Sequence, residues 1–156
     1  MGLQGMSQKE ILCEKAVETF RQGFNCAQSV LLTIFKHWNG KNKLIPRIAT
    51  GFGGGIGRCG SVCGALTGGV MAIGIKCGTD EPSLEKRLKA YELSRKLYME
   101  FENKHGSAFC RDLIGYELSN PNGLKMARSA KVFEEKCPTF IRTVMENLID
   151  LTTDPS

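Results

Sequence analysis

Apolar residues recur every three to four positions along most of this chain, and short polar or glycine-containing breaks separate these stretches. Recurrence of this kind places apolar side chains on one face of a helix. Ser7 and Glu10 have the spacing of a capping box and predict a first helix over residues 8–22. Asn25 is a favourable N-cap and predicts a second helix over residues 26–38. The N-terminal quarter is therefore predicted to be two helices joined by a short turn.

The C-terminal half shows the same helical period. Helices are predicted over residues 84–104, 110–114, 124–136 and 138–151. The longest has Leu84, Leu88 and Tyr91 among the residues of its expected buried face. Proline is favoured at the first position of a helix, so Pro138 is predicted to start the last helix and to leave Cys137 at or near its N-cap.

A glycine-rich segment lies between these two groups of helices. Eleven of the eighteen glycines fall between positions 51 and 78, after a polar loop over residues 39–50. Glycine loses much backbone entropy on folding, so this density requires tight packing or a ligand in return. Gly60, Gly64 and Gly68 recur at helical spacing, which predicts a ridge that another helix or a cluster can approach closely.

The pattern as a whole predicts the fold class. No segment shows the sustained alternation of apolar and polar residues that is typical of strands. We expect an all-α, single-domain helical bundle over residues 1–156, with the glycine-rich segment packed inside. Residues 1–6 are expected to be disordered and residues 152–156 to form a tail.

Composition excludes several functions. The net charge of +5 comes from basic residues interleaved with Glu, which argues against a nucleic-acid interface. The longest apolar stretch, residues 62–75, is interrupted by glycines and is shorter than the roughly 20 residues that span a membrane, so no stable membrane insertion is expected. The N-terminus does not have the order of a secretory signal, and the expected location is cytoplasmic.

Seven cysteines are more than a 156-residue domain needs for folding. In a reducing compartment such a set is more often metal-binding or redox-active than a disulfide framework. Four of them lie at predicted helix starts or close backbone approaches, where the helix dipole favours thiolate. These four are Cys26, Cys63, Cys110 and Cys137. Cys13 and Cys77 lie among apolar neighbours and are expected to fill the core.

The remaining features leave alternatives open. No CxxC motif is present, and neither histidine has a ligand spacing from a cysteine. Cys59 and Cys63 are four residues apart and could form a redox pair or two ligands of one metal. Arg58 and Arg111 each neighbour a cysteine; they either offset thiolate charge or are ordinary surface charges. Gly64 is one of the glycines whose backbone could face sulfur.

The cysteine pattern resembles a known family. Residues 63–68 read Cys-Gly-Ala-Leu-Thr-Gly, and Cys26 precedes them while Cys110 and Cys137 follow. This set is similar to the redox-active protein family named for its C_GCAxxG_C_C pattern, over residues 24–137. The resemblance implies a small helical protein whose four signature cysteines are the four residues just described. The related non-haem part of split-Soret cytochromes is associated with a cysteine-held iron–sulfur centre.

Three hypotheses follow. In the first, the four signature cysteines bind an iron–sulfur cluster that exchanges single electrons with a redox partner protein, with Gly64, Gly68, Arg58 and Arg111 near the cofactor. In the second, Cys63 attacks a disulfide, and Cys59 or another signature cysteine resolves it. In the third, the four sulfurs bind Zn or Cu. The small-residue ridge would also suit the seam of a homodimer.

Overall fold

A computed structural model describes residues 4–153. Seven α-helices and one 3₁₀ helix account for most of this part of the chain. In chain order they are α1 (Gln8–Arg21), α2 (Cys26–His37), the 3₁₀ helix (Arg47–Phe52), α3 (Gly64–Cys77), α4 (Leu84–His105), α5 (Cys110–Ile114), α6 (Pro121–Ser129) and α7 (Val132–Thr152). Residues 4–153 contain no β-strand, only an isolated antiparallel bridge between Val62 and Phe109. The all-α prediction is confirmed; most of the expected disordered terminus and tail lies outside the described residues.

Side-chain capping determines where the first two helices begin. The Ser7 hydroxyl accepts the Glu10 N–H at 3.2 Å, and the Glu10 carboxylate accepts the Ser7 N–H at 2.7 Å. Asn25 and Gln28 repeat this reciprocal arrangement at 2.9 and 3.1 Å. Each pair satisfies two N–H groups that a helix start would otherwise leave without partners. As a result Cys26 is the first residue of α2, as predicted.

The predicted boundaries are correct to within one residue for α4 and α5 but wrong for the two helices that follow them. Asn120 caps α6 by accepting the Asn122 N–H at 2.8 Å, so this helix begins and ends earlier than expected. The chain then turns at Lys131, whose φ of 54° is left-handed, and α7 begins directly after it. Pro138 lies inside α7, where its missing N–H removes one helical hydrogen bond. Cys137 is therefore within a helix and not at an N-cap.

The buried face of α4 also differs from the prediction. Leu84, Leu88 and Tyr91 were expected in the core, yet each is more than 50% exposed, at 60%, 52% and 57%. Phe101, which the sequence also placed on the buried face, is fully buried as expected, and Leu97 is buried beside it. Because α4 carries two apolar stripes on different sides, its own sequence does not determine which of them meets the bundle.

Close packing between α2 and α3 organises the core. Helix α3 lies against α2, α4 and α7, and α1 packs against both α2 and α7. A Cβ added to Gly68 would lie 2.6 Å from the Ala27 carbonyl oxygen, so the two backbones touch where Gly68 has no side chain. Gly60 precedes α3 and adopts a φ of +73° in the preceding loop. The predicted glycine ridge thus begins at Gly64 and excludes Gly60.

No helix in the described part of the chain is both long enough and apolar enough to cross a membrane.

Alanine at position 68 tests this contact. The added methyl group of Gly68→Ala must push α2 and α3 apart, so the free energy of unfolding should fall by about 1–3 kcal/mol. Gly74→Ala, in the same helix, is the matched control because nothing lies within 4 Å of its added Cβ. Helix propensity predicts that the control raises stability by up to about 1 kcal/mol. Equal effects in urea unfolding would contradict the proposed contact.

His105 should make stability depend on pH. Its Nε2 lies 2.8 Å from the Thr143 hydroxyl of α7, and its ring lies between Phe101 and Phe140. Burial, and then the charge of Lys104, lower the pKa of His105 from its ordinary value of 6.5. The unfolded chain therefore binds this proton more readily than the folded protein does. This contribution to stability is present above pH 6.5 and is lost as the pH falls below it.

The measurement compares the wild type with His105→Gln from pH 7.5 to pH 5. The wild type should lose more stability than the variant, by at most about 1.4 kcal/mol per pH unit, the limit for one proton. Parallel pH profiles for the two proteins would show that His105 does not titrate in this way.

Candidate functional site

The four signature cysteines line one cavity of about 540 Å³. Cys26 is the first residue of α2, Cys63 is the N-cap of α3, Cys110 is the first residue of α5, and Cys137 lies within α7. Four separate elements of the fold therefore each contribute one thiol. No His, Asp or Glu side chain is among the residues that line this cavity.

A short antiparallel pairing holds two of these cysteines together. The Cys63 N–H donates to the Ala108 carbonyl at 2.8 Å, and the Cys110 N–H donates to the Ser61 carbonyl at 2.7 Å. These bonds flank the isolated bridge between Val62 and Phe109. The start of α3 and the start of α5 are thereby fixed side by side, which accounts for the shared position of Cys63 and Cys110.

Missing side chains leave room for the Cys26 sulfur. A Cβ added to Gly64 would overlap Cys26 Sγ, so the first residue of α3 must be glycine for this thiol to keep its position. Backbone N–H groups of Gly54, Ala27 and Gly64 act on Cys26 and favour its thiolate. The predicted approach of bare backbone to sulfur is present at Gly64. Gly68 lies one turn further along and contacts the α2 backbone at Ala27, without lining the cavity.

Burial controls the protonation of the cavity thiols. It raises the pKa of Cys63 well above its ordinary value, with the charge of Cys26 as the next cause. Burial, followed by the charge of Cys26, raises the pKa of Cys110 to about 12. The pKa of Cys137 is raised by burial and then by the charges of Cys26 and Cys110, and that of Cys26 by burial. The expected shift toward thiolate at helix N-termini is thus outweighed, and these groups are neutral thiols at neutral pH.

A left-handed segment forms part of the cavity wall. Positive φ angles of 67°, 69°, 62°, 54° and 66° occur in an unbroken run. The run consists of Gly54, Gly55, Ile56, Gly57 and Arg58. Its turns are closed by backbone bonds such as that from the Arg58 N–H to the Gly53 carbonyl at 3.1 Å. The glycine density indicated an unusual backbone here, but Ile56 and Arg58 gave no sequence signal for a left-handed conformation.

The other predicted site residues are divided between two places. Arg58 lines the thiol cavity, as does Arg128 of α6, which sequence reasoning missed. Cys59 and Arg111 line a separate shallow surface pocket instead. The Arg111 guanidinium donates to the Cys59 carbonyl at 3.1 Å and pairs with Glu117. Cys59 is exposed whereas Cys63 is buried, so the proposed pair of attacking and resolving thiols faces different surroundings.

The remaining cysteines lie outside the cavity. Cys13 is 2% exposed in the core, and burial raises its pKa to about 11. Cys77 is half-buried at the end of α3. All seven cysteines are free thiols. Within residues 4–153, no group of three or more His, Cys, Asp or Glu side chains is arranged closely enough to hold a single metal ion.

Comparison with known proteins gives a family and one relative. The family model described as "Putative redox-active protein (C_GCAxxG_C_C)" matches residues 24–151. An "Uncharacterized protein" of Archaeoglobus fulgidus is 29% identical over 126 residues, covering 75% of this chain and 79% of the relative. No solved structure matches the chain.

Alkylation under native conditions should separate the thiols by their surroundings. Exposed Cys59 should react with iodoacetamide at pH 7.5 at least about tenfold faster than Cys63 or Cys110, which are less accessible and favour the unreactive neutral form. Raising the pH to 9 should accelerate Cys110, because its pKa of about 12 leaves most of it protonated at both values.

Peptide mapping by mass spectrometry gives the rate for each residue. The control is the same reaction in about 8 M urea, where burial no longer protects any thiol. Alkylation rates of Cys63 and Cys59 in the native protein that agree within about twofold would contradict the burial of Cys63.

Proposed function

This chain belongs to the C_GCAxxG_C_C family of redox-active proteins, and from that premise we propose that its four signature cysteines bind an iron–sulfur cluster used for electron transfer. The observation that carries the proposal is the shared cavity. Thiols from positions 26, 63, 110 and 137 line it without any histidine or carboxylate. A donor set made only of sulfur suits iron–sulfur clusters and soft metals, and is unsuitable for the hard cations that oxygen ligands select.

The surroundings of the cavity fit such a group. Gly64 leaves space beside the Cys26 sulfur, and the backbone of Gly54 and Gly64 favours the thiolate form of Cys26. Hydrogen bonds to sulfur are one of the means by which a protein sets a cluster's reduction potential. Arg58 and Arg128 supply positive charge against a thiolate-ligated cluster. Phe133 and other apolar side chains complete the wall and limit the access of water.

The residues of this chain would have defined tasks. Cys26, Cys63, Cys110 and Cys137 would supply the ligands, and the bound cluster would accept and release one electron at a time. The thiols are protonated before binding because burial raises their pKa values. Binding must therefore release protons, and loading should be favoured by a higher pH.

A single Zn or Cu ion on four sulfurs is the competing occupant. Ligands of one tetrahedral ion have bonds of about 2.3 Å and so lie about 4 Å apart. Among residues 4–153 no group of three or more His, Cys, Asp or Glu side chains is placed to hold such an ion. Native mass spectrometry separates the two, because one ion and a cluster add different masses.

Thiol–disulfide exchange by Cys63 and Cys59 is less well supported. Attack on a disulfide requires a thiolate, and the pKa of Cys63 is well above its ordinary value. Cys59 opens to a different surface pocket from the cavity that Cys63 lines.

Cysteine substitution after anaerobic purification tests the proposal. The wild type should contain iron and acid-labile sulfide in equal amounts and absorb visible light. Cys63→Ala or Cys110→Ala should lose at least about tenfold of both, since a lost ligand weakens the whole site. Cys59→Ala and Cys77→Ala are matched controls outside the cavity and should retain both.

The absence of iron and sulfide from the reconstituted wild type would refute the proposal. So would a bound metal that survives loss of Cys63 or Cys110 but disappears with Cys59. Thermal unfolding of every variant shows whether a loss of cofactor reflects a loss of fold.

A further inference from the structure

Positive charge surrounds the thiol cavity. Arg58 of the left-handed segment and Arg128 of α6 both line it, and no acidic residue does so. Neither guanidinium forms an ion pair with a carboxylate among residues 4–153. Both side chains are exposed, so their charges act on whatever approaches the opening.

The distribution of charge along the chain strengthens this field. No Asp or Glu occurs from residue 19 to residue 79, although seven Lys and Arg residues do. Residues 118–133 are also free of acidic side chains and contain three basic ones. Most of the residues that line the cavity come from these two stretches. These two stretches therefore bring no negative charge to the cavity lining, although the charge of Glu134 in α7 acts on Cys137.

Ile56 adds an apolar contact beside this charge. It lies between Gly54 and Gly57, which both line the cavity, and its φ of 62° is strained for a β-branched residue. Its side chain is 47% exposed, so packing within this protein does not explain an isoleucine here. Glycine would relieve the strain without loss of a core contact. The exposed part of this side chain is accessible to a partner.

We propose that the rim formed by Ile56, Arg58 and Arg128 is the docking surface for a small acidic electron-carrier protein. The proposal rests on the proposed function, because a carrier at this rim would face the cavity that holds the cluster. Complementary charge accelerates encounter and gives specificity, and electron-transfer interfaces are small and short-lived. In the transfer one electron leaves the reduced centre of the carrier and enters the cluster, so one is oxidised and the other reduced. No covalent bond is formed or broken.

Reduction by a flavodoxin, an acidic protein that carries FMN, tests the proposal. Stopped-flow absorbance follows the loss of one electron from its reduced flavin to the cluster-loaded protein. The double variant Arg58→Gln with Arg128→Gln should lower the second-order rate at low salt at least about tenfold and flatten its dependence on salt. Arg87→Gln with Arg95→Gln removes the same charge from α4, outside the cavity, and should change the rate less than about twofold.

A small reductant shows whether a slower rate comes from weaker docking or from a change at the cluster. A viologen radical needs no protein surface, so its rate should not fall in the Arg58 and Arg128 double variant. An equal fall for viologen and flavodoxin would overturn the docking role. Equal falls in the two arginine double variants would do the same, because net charge alone would then explain the effect.

The substitution Ile56→Gly distinguishes a docking role for this residue from a purely structural one. It should raise the melting temperature, since the strain is relieved, and lower the flavodoxin rate, since the contact is lost. A rate equal to that of the wild type would exclude Ile56 from the docking surface.

The proposed function and the docking surface can fail separately. If the wild type contains no iron and sulfide, the proposed function fails, and oxidised flavodoxin is then titrated against the protein by calorimetry. Salt-sensitive binding that the Arg58 and Arg128 substitutions weaken would support the rim. If the wild type contains the cluster but its rate of reduction by flavodoxin does not depend on salt, the proposed docking surface is wrong. The proposed function is not affected by that result.

Discussion

The fold depends on direct backbone contact between α2 and α3. Gly68 permits the contact at the Ala27 carbonyl, and one turn earlier Gly64 leaves the space in which the Cys26 sulfur lies. The same approach that closes the core therefore also forms one side of the cavity. Any side chain at these two glycines must separate the helices or displace a thiol. Helix packing and the thiol site depend on one another because Gly64 and Gly68 lie on consecutive turns of α3.

Burial gives the cavity its chemical character. Desolvation is the largest cause of the raised pKa at Cys63, Cys110 and Cys137, and the charge of Cys26 is the next cause at each of them. Ionising them together without compensation would place several negative charges in one enclosed space. A positively charged cofactor at the centre would relieve this repulsion, and Arg58 and Arg128 at the edge would act in the same way. The two stretches that supply most of the cavity lining, residues 19–79 and 118–133, contain no Asp or Glu and so add no negative charge to this repulsion.

Features set by short-range interactions could be predicted from the sequence. The capping boxes at Ser7 and Asn25 set the starts of α1 and α2, and the resemblance grouped the four cysteines that share the cavity. Features set by distant contacts could not. Which stripe of α4 is buried depends on its neighbours, and α7 continues through Pro138 because the turn is made earlier, at Lys131. The left-handed run at Ile56 depends on surroundings that no local propensity encodes.

The contribution of α7 to the cavity has a consequence for biosynthesis. Cys137 belongs to α7, which packs against α1, so the fourth thiol reaches its place only when these two helices have met. A nascent chain leaves the ribosome from its N-terminus and presents three of these sulfurs well before the last one. A ligand held by all four thiols could therefore be completed only after α7 has been synthesised and has packed against α1.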